Sequence, residues 1–178
     1  AQILAGFDET GAVREFDRDG DLTGGDKIQS AFFVNFARLL TKDEIKKQSF
    51  TVQVITGGVV TNPTGTLTIS DYGALTSYKT NSPAGEYGIL YTSSAAAQGS
   101  GVGLVYYQAG IAVLTSSIFD GNLASYIGPN MANDATTADN YAGVSELFVS
   151  GSISGSADAF RNRLYNISFN NTIEINST

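Results

Sequence analysis

Three apolar runs follow one another in the middle of this chain: "EYGILYTSS" (86–94), "GVGLVYYQAG" (101–110) and "IAVLTSSIF" (111–119). A strand with one wet face alternates apolar and polar residues. In "GILY", "GLVYY" and "IAVL" both sets of positions are apolar. Such runs read as interior strands covered on both faces. The break "QAG" (108–110) is short enough for a hairpin between the second and third runs. These three runs are predicted to form the centre of the main sheet.

The flanking sequence continues the β pattern. "SFTVQVITGG" (49–58) sets Phe50, Val52 and Val54 against Thr51, Gln53 and Ile55, and paired glycines end it. "GTLTISDYG" (65–73) alternates Leu67 and Ile69 with Thr66, Thr68 and Ser70. Twenty Gly, nine Tyr and ten Phe suit a turn-rich β-protein. "SAFFVNF" (30–36) reads as core or interface packing. Helical signals are local. "LLTKDEIKK" (39–47) has Thr41 as an N-cap, acids in its first turn and lysines at its end, which predicts one short helix. "SADAFRNRLY" (156–165) predicts a second of about two turns. The stretches 116–128 and 140–151 are ambiguous, and 128–140 reads as a polar surface loop.

The expected fold class is therefore mainly β, a β-sandwich or barrel-like antiparallel sheet with one to three short helices. The 178 residues form a single β-rich domain. Residues 1–47 are a mixed turn and helix lead-in, 48–119 the core strands, 120–165 loop and short helices, and 166–178 one or two edge strands.

Composition removes whole function classes. There is no His and no Cys, so imidazole acid–base work, thiol catalysis, disulfides and ordinary zinc sites are excluded. Net charge is -7, which repels phosphate and argues against direct nucleic-acid binding or adhesion to an anionic membrane. No apolar stretch is long enough for a transmembrane helix. No Lys or Arg occurs between Thr80 and Phe160: this stretch solvates itself with Ser, Thr and Asn instead of charge, and the sharper alternative is an assembly surface, since interface cores lose charged residues. "GSGVG" (99–103) opens a strand and lacks the ending of a phosphate loop, while "GSISG" (151–155) has Ile153 where a nucleophile elbow needs serine. A carboxylate hydrolase would need two facing acids and usually aromatic sugar platforms; the chain has no Trp.

Two stretches carry candidate sites. "EFDRDGDLTGGDKI" (15–28) spaces Asp17, Asp19 and Asp21 as in positions 1, 3 and 5 of a calcium loop. Position 6 is Leu22 where such loops have Gly, and position 12 is Ile28 where they have Glu. This predicts a polar turn with weak calcium binding at most; no other cofactor is implied. "NISFNNTIEINST" (166–178) places Ile167 and Phe169, then Ile173 and Ile175, on one side of a strand. A half-buried strand of this kind is expected at a sheet edge, contacting another chain through those four residues.

As a set, "REFDRDGDLTGGDKI", "FARLLTKDEIKKQSF", "NSPAGEYGILY", "GLVYYQAGIAVLT" and "ISFNNTIEINST" resemble the virion structural proteins of marine and cyanobacterial contractile-tailed phages. The resemblance runs from Gln2 to Thr178. It implies a longer protein with sequence on both sides of this chain, a place in the virion, and partners that are other copies and neighbouring virion proteins. It transfers no catalytic motif. The implied function is a non-enzymatic subunit of the capsid, neck, tail or baseplate, acting by subunit–subunit assembly. The rival expectation is a receptor- or glycan-binding adhesion module of a phage fibre.

Overall fold

A computed structural model describes residues 2–22, 24, 27–36, 43–59, 62–92, 101–119, 157 and 160–173. It is mainly β, with antiparallel sheets and short helices, as the sequence predicts. The strands are β1 (Ala31–Asn35), β2 (Glu44–Ile45), β3 (Thr51–Val59), β4 (Asn62–Ser70), β5 (Tyr87–Leu90), β6 (Gly103–Tyr106), β7 (Ile111–Thr115), β8 (Leu164–Ser168) and β9 (Asn171–Thr172). Helix α1 covers Gln2–Ala5, α2 covers Ala74–Ser77, and a 3-10 turn follows β7 at Ser116–Phe119.

The central sheet has the order β1-β7-β6-β5, all antiparallel. Every residue of β5 and β6 is buried, as is every residue of β7 after Ile111. The pleat sorts their side chains into two cores. Leu90, Val105, Ala112 and Leu114 enter one cluster with Phe50, Val52, Val54 and Ile69 of the second sheet. Tyr87, Ile89, Leu104, Tyr106 and Val113 enter another with Leu4, Ala5, Phe16 and Ile28. The second sheet, order β4-β3-β8, is thus one cover, and the N-terminal layer is the other. The two-sided burial written into residues 86–115 has this origin.

The hairpin at 107–110 joins β6 to β7, with Gly110 at φ 65 closing the turn in the left-handed region that glycine enters without strain. Gly88 is required for a different reason. A Cβ there would collide with the Tyr107 hydroxyl, which reaches across β5. The sheets are stitched at their rims: Ser70 and Tyr91 exchange two backbone hydrogen bonds of 2.9 Å, and Ile45 N–H donates to Tyr107 C=O at 3.0 Å.

Four local expectations need correction. Residues 43–47 of the "LLTKDEIKK" helix are not helical: Glu44–Ile45 is β2, paired with β9. Ile45 is fully buried, and Lys46 N–H donates to Asn170 C=O at 2.7 Å. Burial and pairing with distant residues outweigh a helix preference of a few tenths of a kcal/mol per residue. The 1–47 stretch is more than turns and a helix, because β1 belongs to the central sheet. Strand β3 does not end at Gly57–Gly58; it runs on to Val59, with register shifts at the glycines. The helix at 156–165 is shorter, with described residues 157 and 160–163 helical and β8 starting at Leu164. The loop expected at 128–140 and the ambiguous stretch 140–151 lie outside the described residues, as does most of 116–128.

Candidate functional site

The structure brings Asp17, Asp19 and Asp21 together: one carboxylate oxygen from each lies within 4.8 Å of the others. Turn chemistry accounts for the approach. Asp19 N–H donates to Asp17 Oδ1 at 3.4 Å, and Asp21 N–H to Asp19 Oδ1 at 3.1 Å. Gly20 and Leu22 both adopt positive φ, 71 and 65. Leu22 therefore takes the sharp-turn conformation that a calcium loop gives to glycine, at a steric cost of roughly 1–2 kcal/mol. A bridge between Asp17 and Lys27 closes the loop.

Charge within this loop is already balanced at its buried end. Asp17 is 2 % exposed, and its Oδ2 receives Lys27 Nζ at 2.7 Å. Burial pushes the Asp17 carboxyl up, but the Lys27 ammonium and the Asp19 hydrogen bonds outweigh it and hold the group below its ordinary value. Asp19 is the reverse. The Asp21 N–H favours its ionised form, yet the neighbouring Asp17 and Asp21 carboxylates push its pKa up. Three carboxylates are half or less of the six to eight oxygens calcium takes, and the Lys27 ammonium already pairs with Asp17 through its Oδ2.

The C-terminal segment also has a defined place. β8 forms the outer edge of the second sheet, the position expected for residues 166–178. Ile167 and Phe169, however, pack against the chain's own large core. Phe169 lies 5.1 Å from the Phe36 ring and 6.3 Å from Phe50. That face of the segment is therefore half-buried within its own domain, as the alternation predicts, and its contact with another chain remains a proposal. Ile173 alone of the four is shown exposed, at 52 %, and Ile175 lies outside the described residues.

Sequence reasoning missed two features. Asp71 is 1 % exposed and accepts three hydrogen bonds, from Gln48 N–H at 2.7 Å, Phe50 N–H at 3.0 Å and the Tyr107 hydroxyl at 3.0 Å. It clamps the turn before β3 to the turn after β6. In "SDYG" it looked like an ordinary turn residue, and no local signal marks its partners 21 to 36 residues away. The second is a groove of about 400 Å³ between β1 and Ala157, Phe160, Arg161 and Leu164. Two of its lining rings, Phe32 and Phe160, stack with centroids 4.4 Å apart. "SAFFVNF" signalled apolar packing but not which side of the strand pairs with β7.

Comparison with protein-family models, curated proteins and solved structures finds no match to this chain.

Proposed function

We propose that this chain is a non-enzymatic structural subunit of a phage virion, part of the capsid, neck, tail or baseplate, and that it acts by assembly with copies of itself and with neighbouring virion proteins. One observation carries the reading. The N-terminal layer and β1 leave Ile3 (83 %), Phe7 (49 %), Val13 (45 %) and Phe33 (52 %) exposed. Phe7 and Val13 face each other across a β-bridge, so they share one surface. A sequence that buries its central strands on both faces yet exposes large apolar side chains on the cover reserves that surface for a partner. The resemblance of the five quoted phrases to phage structural proteins supplies the kind of partner. The charge of -7 keeps such surfaces from phosphate, and no described helix is long and apolar enough to cross a membrane.

Mass spectrometry of particles purified from the phage that encodes the chain tests this. Recovery in many copies per particle is expected, and absence from the particle overturns it. A second reading, receptor or glycan binding on a fibre, is favoured by Tyr72 and Tyr78, both more than one-third exposed around α2, with Lys47 Nζ 4.8 Å above the Tyr78 ring. Binding on a glycan array that is lost in Tyr72→Ala or Tyr78→Ala would select it.

A further inference from the structure

The groove lies beside a strand that, among the described residues, pairs on one side only, and the ladder says which groups its other side presents. Phe36 N–H donates to Gly110 C=O and Ser30 C=O accepts from Ser116 N–H, both at 2.9 Å. Backbone groups of residues 30, 32, 34 and 36 therefore turn toward β7. Those of Ala31, Phe33 and Asn35 turn the other way, and among the described residues no strand pairs with them.

Sheet edges in natural proteins are usually guarded by charge, proline, bulges or a covering segment. Among the described residues, the other three edges of the two larger sheets show such devices. β4 carries Pro63 and Gly65 with register shifts, β8 has a register shift against β3 at Val54, and β5 is capped by Lys79, which exchanges two backbone hydrogen bonds with Tyr87. β1 reads Ala-Phe-Phe-Val-Asn, with no charge, no proline and no glycine, and pairs with β7 without a register shift.

We propose that β1 pairs antiparallel with β1 of a second copy, across a two-fold axis at Phe33, joining two four-stranded sheets into one. The strand is self-complementary in that register. Ala31 faces Asn35 of the other copy, Phe32 faces Val34, and Phe33 faces its own counterpart. The outward groups of residues 31, 33 and 35 then form three hydrogen-bonded pairs, about six bonds in all. On the groove face Phe32 and Val34 meet their counterparts over the Phe32–Phe160 stack. On the other face the two exposed Phe33 rings come together, beside Phe16, which already touches Phe33 edge-on at 5.6 Å. No facing pair sets like charges against each other. An isologous two-fold contact is the commonest way for one chain to use such an edge. A single short strand edge buries less than the roughly 1,200–2,000 Å² of a standard interface, so the dimer is expected to be of micromolar strength or weaker.

This deepens the assembly reading and rests on it for its place in a particle. The test is sedimentation velocity on the full chain from low to several hundred micromolar. Asn35→Pro removes an outward N–H without touching the bonds to β7, and Phe33→Lys sets two ammonium groups face to face. Wild type is expected to move from monomer to dimer across the range, and both variants to remain monomeric while still unfolding in one cooperative thermal transition. Monomeric wild type throughout overturns the pairing, as does a dimer that survives both substitutions. Amide exchange on the monomer adds a second readout: slow exchange at Phe33 and Asn35 would show that this chain covers its own edge, which also overturns it. A dimer through β1 in a protein absent from particles would sink the virion reading alone, and many copies in particles with a solution monomer would sink the pairing alone.

Discussion

Two buried carboxylates show how one residue type takes opposite electrostatic parts. Burial raises the Asp71 pKa above 3.8, although three donors favour its ionised form. The folded state then holds the proton more tightly than the unfolded chain. Its contribution to stability is full below 3.8 and is lost as pH rises through the raised folded value. Asp17 is lowered by Lys27, so its contribution is present above 3.8 and is lost as pH falls through the depressed folded value. Urea midpoints between about pH 3 and 7 should separate them: Asp71→Asn removes a fall in stability above 3.8, and Asp17→Asn removes a rise toward it. Asp71→Ala leaves two backbone N–H groups and the Tyr107 hydroxyl without their acceptor, and should lower stability by about 2–4 kcal/mol in the same assay. Calorimetry with calcium should give binding no tighter than about millimolar at the Asp17 loop, since the Gly and bidentate Glu of tight loops are missing; micromolar binding lost in Asp19→Ala would contradict that.

Among elements, the pairing of β2 with β9 decides whether the C-terminal segment is internal or external. Two residues pair on each side, reinforced by Lys46 N–H to Asn170 C=O and by Asn170 N–H to Ser49 Oγ at 2.9 Å. Deleting residues 170–178 removes these bonds and uncovers Ile45. A loss of about 2–4 kcal/mol is expected from denaturant unfolding. An unchanged midpoint, in a protein that no longer assembles, would return residues 170–178 to the role of a strand offered to another chain.

For the whole molecule, the N-terminal layer is the vulnerable cover. It is held by apolar side chains and by scattered hydrogen bonds, Arg18 Nε to Gly101 C=O, Asn81 Nδ2 to Gly20 C=O and Ser82 Oγ to Leu4 C=O, while the second sheet covers the opposite face with strands paired in ladders. Removing residues 1–29 bares Ile89, Leu104, Tyr106 and Val113, each worth about 1.5–3 kcal/mol of burial. The truncated chain is expected to bind a hydrophobic dye and to aggregate; a soluble, dye-silent product would show that the layer is dispensable.

Short-range pattern was enough to determine the two-sided burial of β5, β6 and β7, the hairpin at 107–110, the alternation of Phe50, Val52 and Val54, and the chemistry denied by the absence of His and Cys. These depend on residues close in sequence or on composition alone. Tertiary contact decided the rest. Ile45 became a strand residue because distant Asn171 and Tyr107 offered pairing and a dry site. Asp71 became a clamp because three donors from two turns converge on it. Ile167 and Phe169 turned inward onto the core beneath the second sheet, and among the described residues β1 pairs on one side only, with β7. A helix preference or a polar turn is worth tenths of a kcal/mol per residue, whereas burial of one large side chain is worth whole ones. Where the two conflict, contacts that no local reading contains set the outcome.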